Sequence, residues 1–223
     1  MITVSALMPT YNRREFIPRA ISCFLAQEYP ADWSVELVVL DDGSDPVKDL
    51  LPDDPRIKYF RETTPQNHGI KMNRCCELAS GEYLIVWDDD DFYIPTRLAR
   101  QIQPMVNNQQ IQITGTRTLY YYKHGEQKAW QYTSPQGIDW LASIAFRKSE
   151  WERQRFDMIK AGADYNFTRK VPKEARCDLS LPTLVVASIH GQNACQKHLG
   201  SGYVPVPWEK IETLWRMNEP ARR

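Results

Sequence analysis

The chain has 223 residues, with 28 Lys+Arg against 28 Asp+Glu and a formal net charge of zero, so it carries no dominant electrostatic footprint for nucleic acid or membrane. A hydrophobic content of 42%, with 11% aromatic residues, is that of a globular protein with one sizeable core and excludes a disordered chain. The five cysteines, Cys23, Cys75, Cys76, Cys177 and Cys195, are odd in number and form no Cys-x-x-Cys pair, which argues against both a disulfide framework and a thiolate zinc site.

Val4-Ser5-Ala6-Leu7-Met8 reads as a first strand, ended by Pro9-Thr10-Tyr11-Asn12. A helix is expected from about Arg14, with Ile17, Ala20, Ile21, Phe24 and Leu25 at helical spacing and Pro18 in the first turn, where its missing N–H is tolerated. Val35 to Leu40 is a second strand that ends in Asp41-Asp42-Gly43-Ser44-Asp45, and Ile57 to Phe60 is a third. Lys71 to Ala79 reads as a helix with Met72, Cys75, Cys76 and Ala79 turned inward. Gly81-Glu82 then opens a short buried strand, Tyr83 to Trp87, that runs straight into Asp88-Asp89-Asp90-Asp91. Four like charges in a row repel one another unless water or a cation screens them. A solvated acidic turn is the plain reading; at the C-terminal end of an apolar strand, where open α/β sheets bind ligands, the run suggests a site for a hard divalent cation. The next helix starts at Pro95 (Leu98, Ile102, Met105), and Pro104 is expected to bend or end it.

After Asn108 the texture changes. Ile111 to Thr116 and Thr118 to Tyr122 look like antiparallel strands, followed by a turn at Lys123-His124-Gly125-Glu126 from which Trp130-Gln131-Tyr132 pairs back. Ile144 to Arg147 is another short strand; Ser149 to Phe156, Ala163 to Lys170 and Trp208 to Met217 have helical character. The β-α-β-β-α-β-α order of the first part predicts an α/β fold with an open, mixed, mostly parallel sheet flanked by helices. We expect a single domain, 1–223, with a ligand-binding half at about 1–110 and a second functional half at about 111–223. No segment approaches the roughly 20 apolar residues of a membrane span, and Ile2 to Met8 is too short for a leader, so a soluble, cytoplasmic protein is expected.

Several stretches resemble one enzyme family when taken together. Leu7-Met8-Pro9-Thr10-Tyr11-Asn12-Arg13 and Val38-Val39-Leu40-Asp41-Asp42-Gly43-Ser44 look like its first two signatures. Gly69-Ile70-Lys71-Met72-Asn73 is similar to a Gly-x-Lys-Arg-Asn segment of one branch, with Met72 in place of the arginine. Trp87-Asp88-Asp89-Asp90-Asp91 looks like that branch's Asp-x-Asp metal motif, and Gly162-Ala163-Asp164 and His190-Gly191-Gln192-Asn193 continue the likeness. In this order the pieces resemble the family 2 glycosyltransferases of the GT-A (Rossmann-like) fold.

The resemblance implies a metal-dependent inverting glycosyl transfer from a nucleotide-diphosphate sugar, with a UDP-sugar as the expected donor. Cleaving the anomeric bond builds negative charge on the leaving diphosphate, and Mn²⁺ or Mg²⁺ held by carboxylate oxygens can neutralise it. The implied metal residues are Asp90 first, Asp88 shared with the ribose or reached through water, Asp91, and His190. Pro9, Thr10 and Tyr11 would line the base pocket, and Arg13, Asp41, Asp42, Lys71, Asn73, Asp88 and Asp89 would contribute to the nucleotide-sugar site. Asp164 would take the acceptor's proton, where the family places a Glu-Asp pair and this chain has Ala163. Asn193 and Lys197 fall on a loop expected to close over the donor. Each has an ordinary structural alternative: a solvated turn for Asp41-Asp42, packing for Tyr11, a surface helix lysine for Lys71, a first-turn aspartate for Asp164, an edge histidine for His190. Trp130, Trp140 and Trp151 could face an acceptor sugar or belong to the core.

Two further functions stay open at this level. Nucleotidyl transfer would favour a Gly-rich loop after the first strand, and Pro9-Thr10-Tyr11-Asn12-Arg13 has no glycine. A non-catalytic sugar-nucleotide or glycan-binding module is motivated by Ala163 and Met72. The acceptor is unnamed by the sequence: a glycan, a lipid-linked sugar, a protein or a modified nucleic-acid base would each fit.

Overall fold

The computed structural model describes residues 1–193 and 199–216. In chain order the elements are β1 (Ile2–Thr10), α1 (Ile17–Leu25), β2 (Trp33–Asp41), β3 (Ile57–Arg61), α2 (His68–Leu78), β4 (Tyr83–Val86), β5 (Phe92–Tyr93), α3 (Arg97–Asn107), β6 (Ile113–Thr116), β7 (Thr118–Lys123), β8 (Ala129–Thr133), β9 (Ala142–Arg147), α4 (Lys148–Arg153), α5 (Ala163–Lys170), β10 (Arg176–Asp178), β11 (Val185–Ile189), β12 (Tyr203–Val206) and α6 (Trp208–Arg216). Seven strands form one sheet in the order β10-β6-β9-β4-β1-β2-β3, and five form a second in the order β12-β8-β7-β11-β5. In the large sheet β4, β1, β2 and β3 are parallel and β10 runs parallel to β6, while β9 runs against both its neighbours. This is the mixed, mostly parallel sheet with helical cover that the element order predicts.

Side-chain alternation explains why β1, β2 and β4 take the centre. Val4, Ala6 and Met8, with Leu37, Val39 and Ile85, enter one core layer beside Ile17, Ile21 and Phe24 of α1. Leu7, Val38, Leu40, Leu84 and Val86 enter the other, beside Met72, Cys75 and Cys76 of α2 and Phe167 of α5. Strands apolar on both faces need cover on both, which is why they read as continuous apolar runs. Burying each such side chain contributes roughly 1.5–3 kcal/mol.

The structure departs from the sequence reading at four places. The stretches around Ile113 and Thr118 do not pair with each other: β6 joins β9 and β10 in the large sheet, and β7 joins β8 and β11 in the second. Only Arg117 separates them, too little for a hairpin turn, and Asp178 holds both its backbone N–H (3.2 Å) and its Nε (2.6 Å) where the chain changes sheets. Pro104 does not end α3, which runs to Asn107. The missing N–H falls in the last turn, and Leu98, Ile102 and Met105 remain fully buried through it. α2 starts at His68 rather than Lys71, because Asn67 Oδ1 caps it by accepting the Ile70 N–H at 3.0 Å. α4 stops at Arg153, short of Phe156, whose N–H is drawn to Asn73 Oδ1 at 3.0 Å.

Because β6, β9 and β10 complete the large sheet, a cut near residue 110 would divide the sheet itself. Among the described residues no helix is long and apolar enough to cross a membrane. Cys195, Lys197, His198 and the Met217 end of the last expected helix lie outside the described residues.

Candidate active site

The C-terminal ends of β1 and β4 open onto a cleft of about 970 Å³, lined among others by Pro9, Tyr11, Arg13, Lys71, Asp88 to Asp91 and Asp164. Its acidic floor is shaped from beneath. Trp87 is fully buried, with its ring 4.4 Å from that of Tyr93. The Tyr93 hydroxyl accepts the Asp88 N–H at 2.8 Å, which fixes the start of the acidic turn. The aromatic residues flanking the carboxylates are therefore core, and their function is to hold the turn. Under them lies the wholly buried Arg97, 3.9 Å from the centre of the Tyr93 ring. Its guanidinium donates to the Val86 carbonyl at 2.5 Å. Burial lowers its pKa, while Tyr93, Asp88 and Asp91 oppose that.

The four carboxylates have separate environments. Asp88 is partly open to the cleft. Burial first, and then the charges of Asp90 and Asp164, push its carboxyl up to about 7. Asp89 is buried and raised by burial and by Asp90; Arg13 Nη1 donates to its Oδ1 at 2.8 Å. Its Oδ2 has no hydrogen-bond partner among the described residues. Asp90 Oδ2 lies 2.9 Å from Arg13 Nη1, 2.9 Å from His190 Nε2 and 3.3 Å from Asn193 Nδ2. Burial would raise its pKa; the bond to His190 and the charge of Arg13 overcome that and hold it low. Asp91 Oδ1 accepts the Ser188 N–H at 2.9 Å, which ties the turn to β11.

His190 approaches Asp90 in a defined tautomer. Its Nδ1 accepts the Gln192 N–H at 3.2 Å, and the Asn193 amide donates to Asp90 and to the Ser188 carbonyl. Nε2 therefore carries the proton and donates to Asp90. Arg13 closes this assembly, with Nη2 donating to the Gln192 carbonyl at 2.6 Å. It thus links the turn after β1, the acidic turn and the loop after β11.

On the β2 side the expected residues divide. Asn12, at φ 52°, accepts the Asp45 N–H on Oδ1 at 3.2 Å and so joins the turns after β1 and β2. Asp42 Oδ1 accepts from the Lys71 ammonium at 2.9 Å, and its Oδ2 from the Gln66 N–H at 2.7 Å. Lys71 also donates to the Thr10 carbonyl at 3.2 Å and lies 5.7 Å from the centre of the Tyr11 ring. Tyr11 is 46% exposed at the cleft. Asp41 and Asn73 stand apart from it. Asp41 is fully buried, accepting from Gly43 N–H (2.9 Å), Val47 N–H (3.0 Å) and the Tyr59 hydroxyl (2.9 Å). Asn73 donates to the Phe156 carbonyl at 2.9 Å and accepts from Trp151 Nε1 at 2.9 Å. Trp151 is thereby a core residue and Trp130 lies on β8, whereas Trp140 lines the cleft with Leu119 and Tyr121.

Asp164 sits in the first turn of α5, after Gly162 at φ 81°. The segment before it is clamped to the start of α2. Gly69 N–H donates to the Ile159 carbonyl at 3.0 Å, and Asn67 Nδ2 to the Met158 carbonyl at 3.0 Å. This brings His68 Nε2 to 3.8 Å from Asp164 Oδ1. His68 carried no functional expectation from sequence. The signal that was available is Asn67 as a cap, which starts α2 at His68 and directs that residue to the cleft.

A match to the model of glycosyl transferase family 2 spans residues 5–166, from β1 through the acidic turn to Asp164 on α5. The chain belongs to glycosyltransferase family 2. The chain is 30% identical over 149 residues to an uncharacterized glycosyltransferase of Haemophilus influenzae, covering 65% of this chain and 58% of that one. It is 36% identical over 107 residues to the Escherichia coli UDP-Glc:alpha-D-GlcNAc-diphosphoundecaprenol beta-1,3-glucosyltransferase WfgD, covering 47% of this chain and 42% of WfgD. It therefore spans only about half the length of these curated relatives. Among solved structures, it matches Staphylococcus aureus TarS residues 1–349 in complex with UDP at a TM-score of 0.65 and 18% identity, covering 84% of this chain and 61% of the other. It matches the Pyrobaculum calidifontis mannosyltransferase PcManGT in complex with GDP-Man and Mn²⁺ at 0.66 and 17%, covering 86% and 58%. The fold is GT-A.

The carboxylate turn fits a hard cation. Among the described residues no three His, Cys, Asp or Glu side chains converge as a ready-made metal shell. Mg²⁺-type sites on nucleotides need only one or two carboxylates, since phosphates and water complete the shell. The raised Asp88 carboxyl and the unpartnered Asp89 oxygen are both features that a cation against this turn would relieve.

Proposed function

We propose that this family 2 glycosyltransferase moves one sugar, with inversion, from a nucleotide-diphosphate donor to a hydroxyl acceptor, with divalent-cation assistance. The observation that carries the reading is the convergence of Arg13, Lys71, the Asp88–Asp91 turn and Asp164 on one cleft. Tyr11 and Pro9 offer a face for the base, and Asp42 and the Thr10 segment border it. Lys71 and Arg13 supply positive charge for the diphosphate. Asp88 and Asp90 would hold Mn²⁺ or Mg²⁺, with Asp91 and His190 alongside, and the bound cation would neutralise charge developing on the leaving diphosphate. Asp164 takes the acceptor hydroxyl's proton as that oxygen bonds to the anomeric carbon and the anomeric bond to the diphosphate breaks. His190, through its Nε2–H, holds Asp90 in place.

The UDP bound to TarS and the UDP-glucose in the name of WfgD support a UDP-sugar donor. The GDP-Man and Mn²⁺ of PcManGT support metal use. In this reading about 1–110 supplies most of the donor site. The part from about 111 supplies Trp140, Tyr121 and Asp164 for the acceptor, which is a glycan, lipid-linked sugar, protein or modified base. The free thiols of Cys75, Cys76 and Cys177 suit a reducing compartment, and the reading includes a cytoplasmic location.

A thermal-shift screen of nucleotide sugars with and without Mn²⁺ tests donor and metal together, since a ligand that binds the folded state raises its melting temperature. Asp90→Ala and Asp164→Asn are expected to abolish transfer, with Asp164→Asn still stabilised by donor. Full activity in either variant would sink the assignment.

A further inference from the structure

We propose that His68 is a positioning residue for transfer: its imidazole, carried on the first turn of α2, orients the Asp164 carboxylate toward the acceptor hydroxyl. This rests on Asp164 acting as the base of the proposed reaction.

Three observations carry it. His68 Nε2 stands 3.8 Å from Asp164 Oδ1, an oxygen that is buried and has no hydrogen-bond partner among the described residues. An approach of about 0.6 Å or more, of the kind that tightens catalytic contacts when substrate binds, would make this a hydrogen bond. Second, the separation is built into the backbone. Asn67 caps α2 and holds the Met158 carbonyl, Gly69 N–H holds the Ile159 carbonyl, and Asn166 Nδ2 holds Asp157 at 2.8 Å. The turns that present His68 and Asp164 are thus tied to one short segment. Third, Ala163 is buried and places no polar group beside Asp164. The first turn of α5 therefore leaves orientation of the base to a group from elsewhere, and α2 provides it.

The electrostatics agree. Burial works against a charged imidazole, but Asp164 at 3.8 Å, with the charge of Asp88, raises the His68 pKa; Lys71 pulls the other way. A proton on His68 Nε2 would be donated to Asp164 Oδ1 and leave Oδ2 to accept from the acceptor hydroxyl. The acceptor's proton ends on Asp164, the acceptor oxygen forms the new anomeric bond, the old one leaves with its electron pair on the diphosphate, and His68 keeps its proton throughout.

The test compares His68→Gln and His68→Asn with the wild type, using release of nucleoside diphosphate from the nucleotide sugar that the wild type turns over. Each single variant is expected to lose about tenfold or more in kcat with donor KM within about twofold. In the ¹⁵N-labelled full chain, the imidazole signal lost in His68→Gln should titrate at lower pH when Asp164 becomes Asn, while the other histidines hold their midpoints. Wild-type kcat in both His68 variants alongside an inactive Asp164→Asn would overturn the role of His68 and leave the base assignment standing. An active Asp164→Asn would overturn the base assignment instead. Absence of turnover by the wild type would sink the transfer reading and His68's role with it.

Discussion

Replacing Gly69 by alanine tests whether the junction of α2 with the 157–162 segment sets the site. An added Cβ would stand 1.8 Å from the Asp157 carbonyl oxygen and 2.9 Å from its carbon. A relaxed carbon–oxygen contact is about 3.3 Å, so this backbone must retreat by about 1.5 Å. The retreat strains two hydrogen bonds, Gly69 N–H to Ile159 and Asn67 to Met158. Overpacking of this kind costs about 1–3 kcal/mol, and each lost bond about 1 kcal/mol, against a gain of at most about 1 kcal/mol from alanine's helix propensity. The expected net loss is about 2–4 kcal/mol, or about 4–16 °C in melting temperature for a chain of this size. Because the segment leads into α5, Asp164 moves with it, and a displacement near 1 Å costs about 10²-fold in rate. Differential scanning fluorimetry and diphosphate release measure the two effects. Wild-type melting together with wild-type turnover would refute the claim that this contact positions Asp164.

Asp88→Asn should stabilise the protein at pH 8 in chelator. Its carboxyl, at about 7 when folded against a model value of 3.8, takes up a proton on folding between those values. Stability is therefore lost as pH rises from about 4 to 7, up to about 4 kcal/mol, or about 2 after discounting for partial exposure to the cleft. The melting gap between variant and wild type should vanish at pH 4; a gap independent of pH would refute this. Asp41→Ala should lower stability by about 2–4 kcal/mol through three lost acceptor bonds, read by denaturant unfolding, and a variant of wild-type stability with weakened donor affinity would make Asp41 a nucleotide residue after all. Trp140→Ala should raise acceptor KM with little change in donor-induced thermal shift, and a lost donor shift would move Trp140 to the other side of the cleft.

Much of the sheet was legible because its evidence is local. Alternation along β1, β2 and β4 assigns each side chain to a layer, and the carboxylates after β2 and β4 fall at the ligand-binding edge by topology alone. What local pattern does not contain is the direction of a side chain in a turn. Asp41 and Asp42 are neighbours of identical chemistry. Three donors claim the first from its own turn and β3, while Lys71 from α2 claims the second. Asn73 likewise fits a nucleotide contact by motif, yet it binds the segment after α4. His68 was invisible for the converse reason: its importance comes from Asp164, ninety-six residues away in sequence, and from a helix start that depends on one capping amide. The change of sheet at Arg117 was hidden too, because the deciding partner, Asp178, arrives only with β10.

Arg13 gives the cleft a resident counter-ion. Its guanidinium already neutralises Asp89 and Asp90 and is tethered to the loop after β11. A diphosphate that arrives with its cation would therefore meet a balanced site, and binding would exchange partners: phosphate for carboxylate at Arg13, cation for guanidinium at the acidic turn. Such an exchange leaves the number of ion pairs nearly constant. Donor affinity should accordingly change less with ionic strength than two phosphates entering a bare basic pocket would require. The same swap would free the Gln192 carbonyl, so occupancy of the phosphate site would be communicated directly to the loop that carries His190 and Asn193.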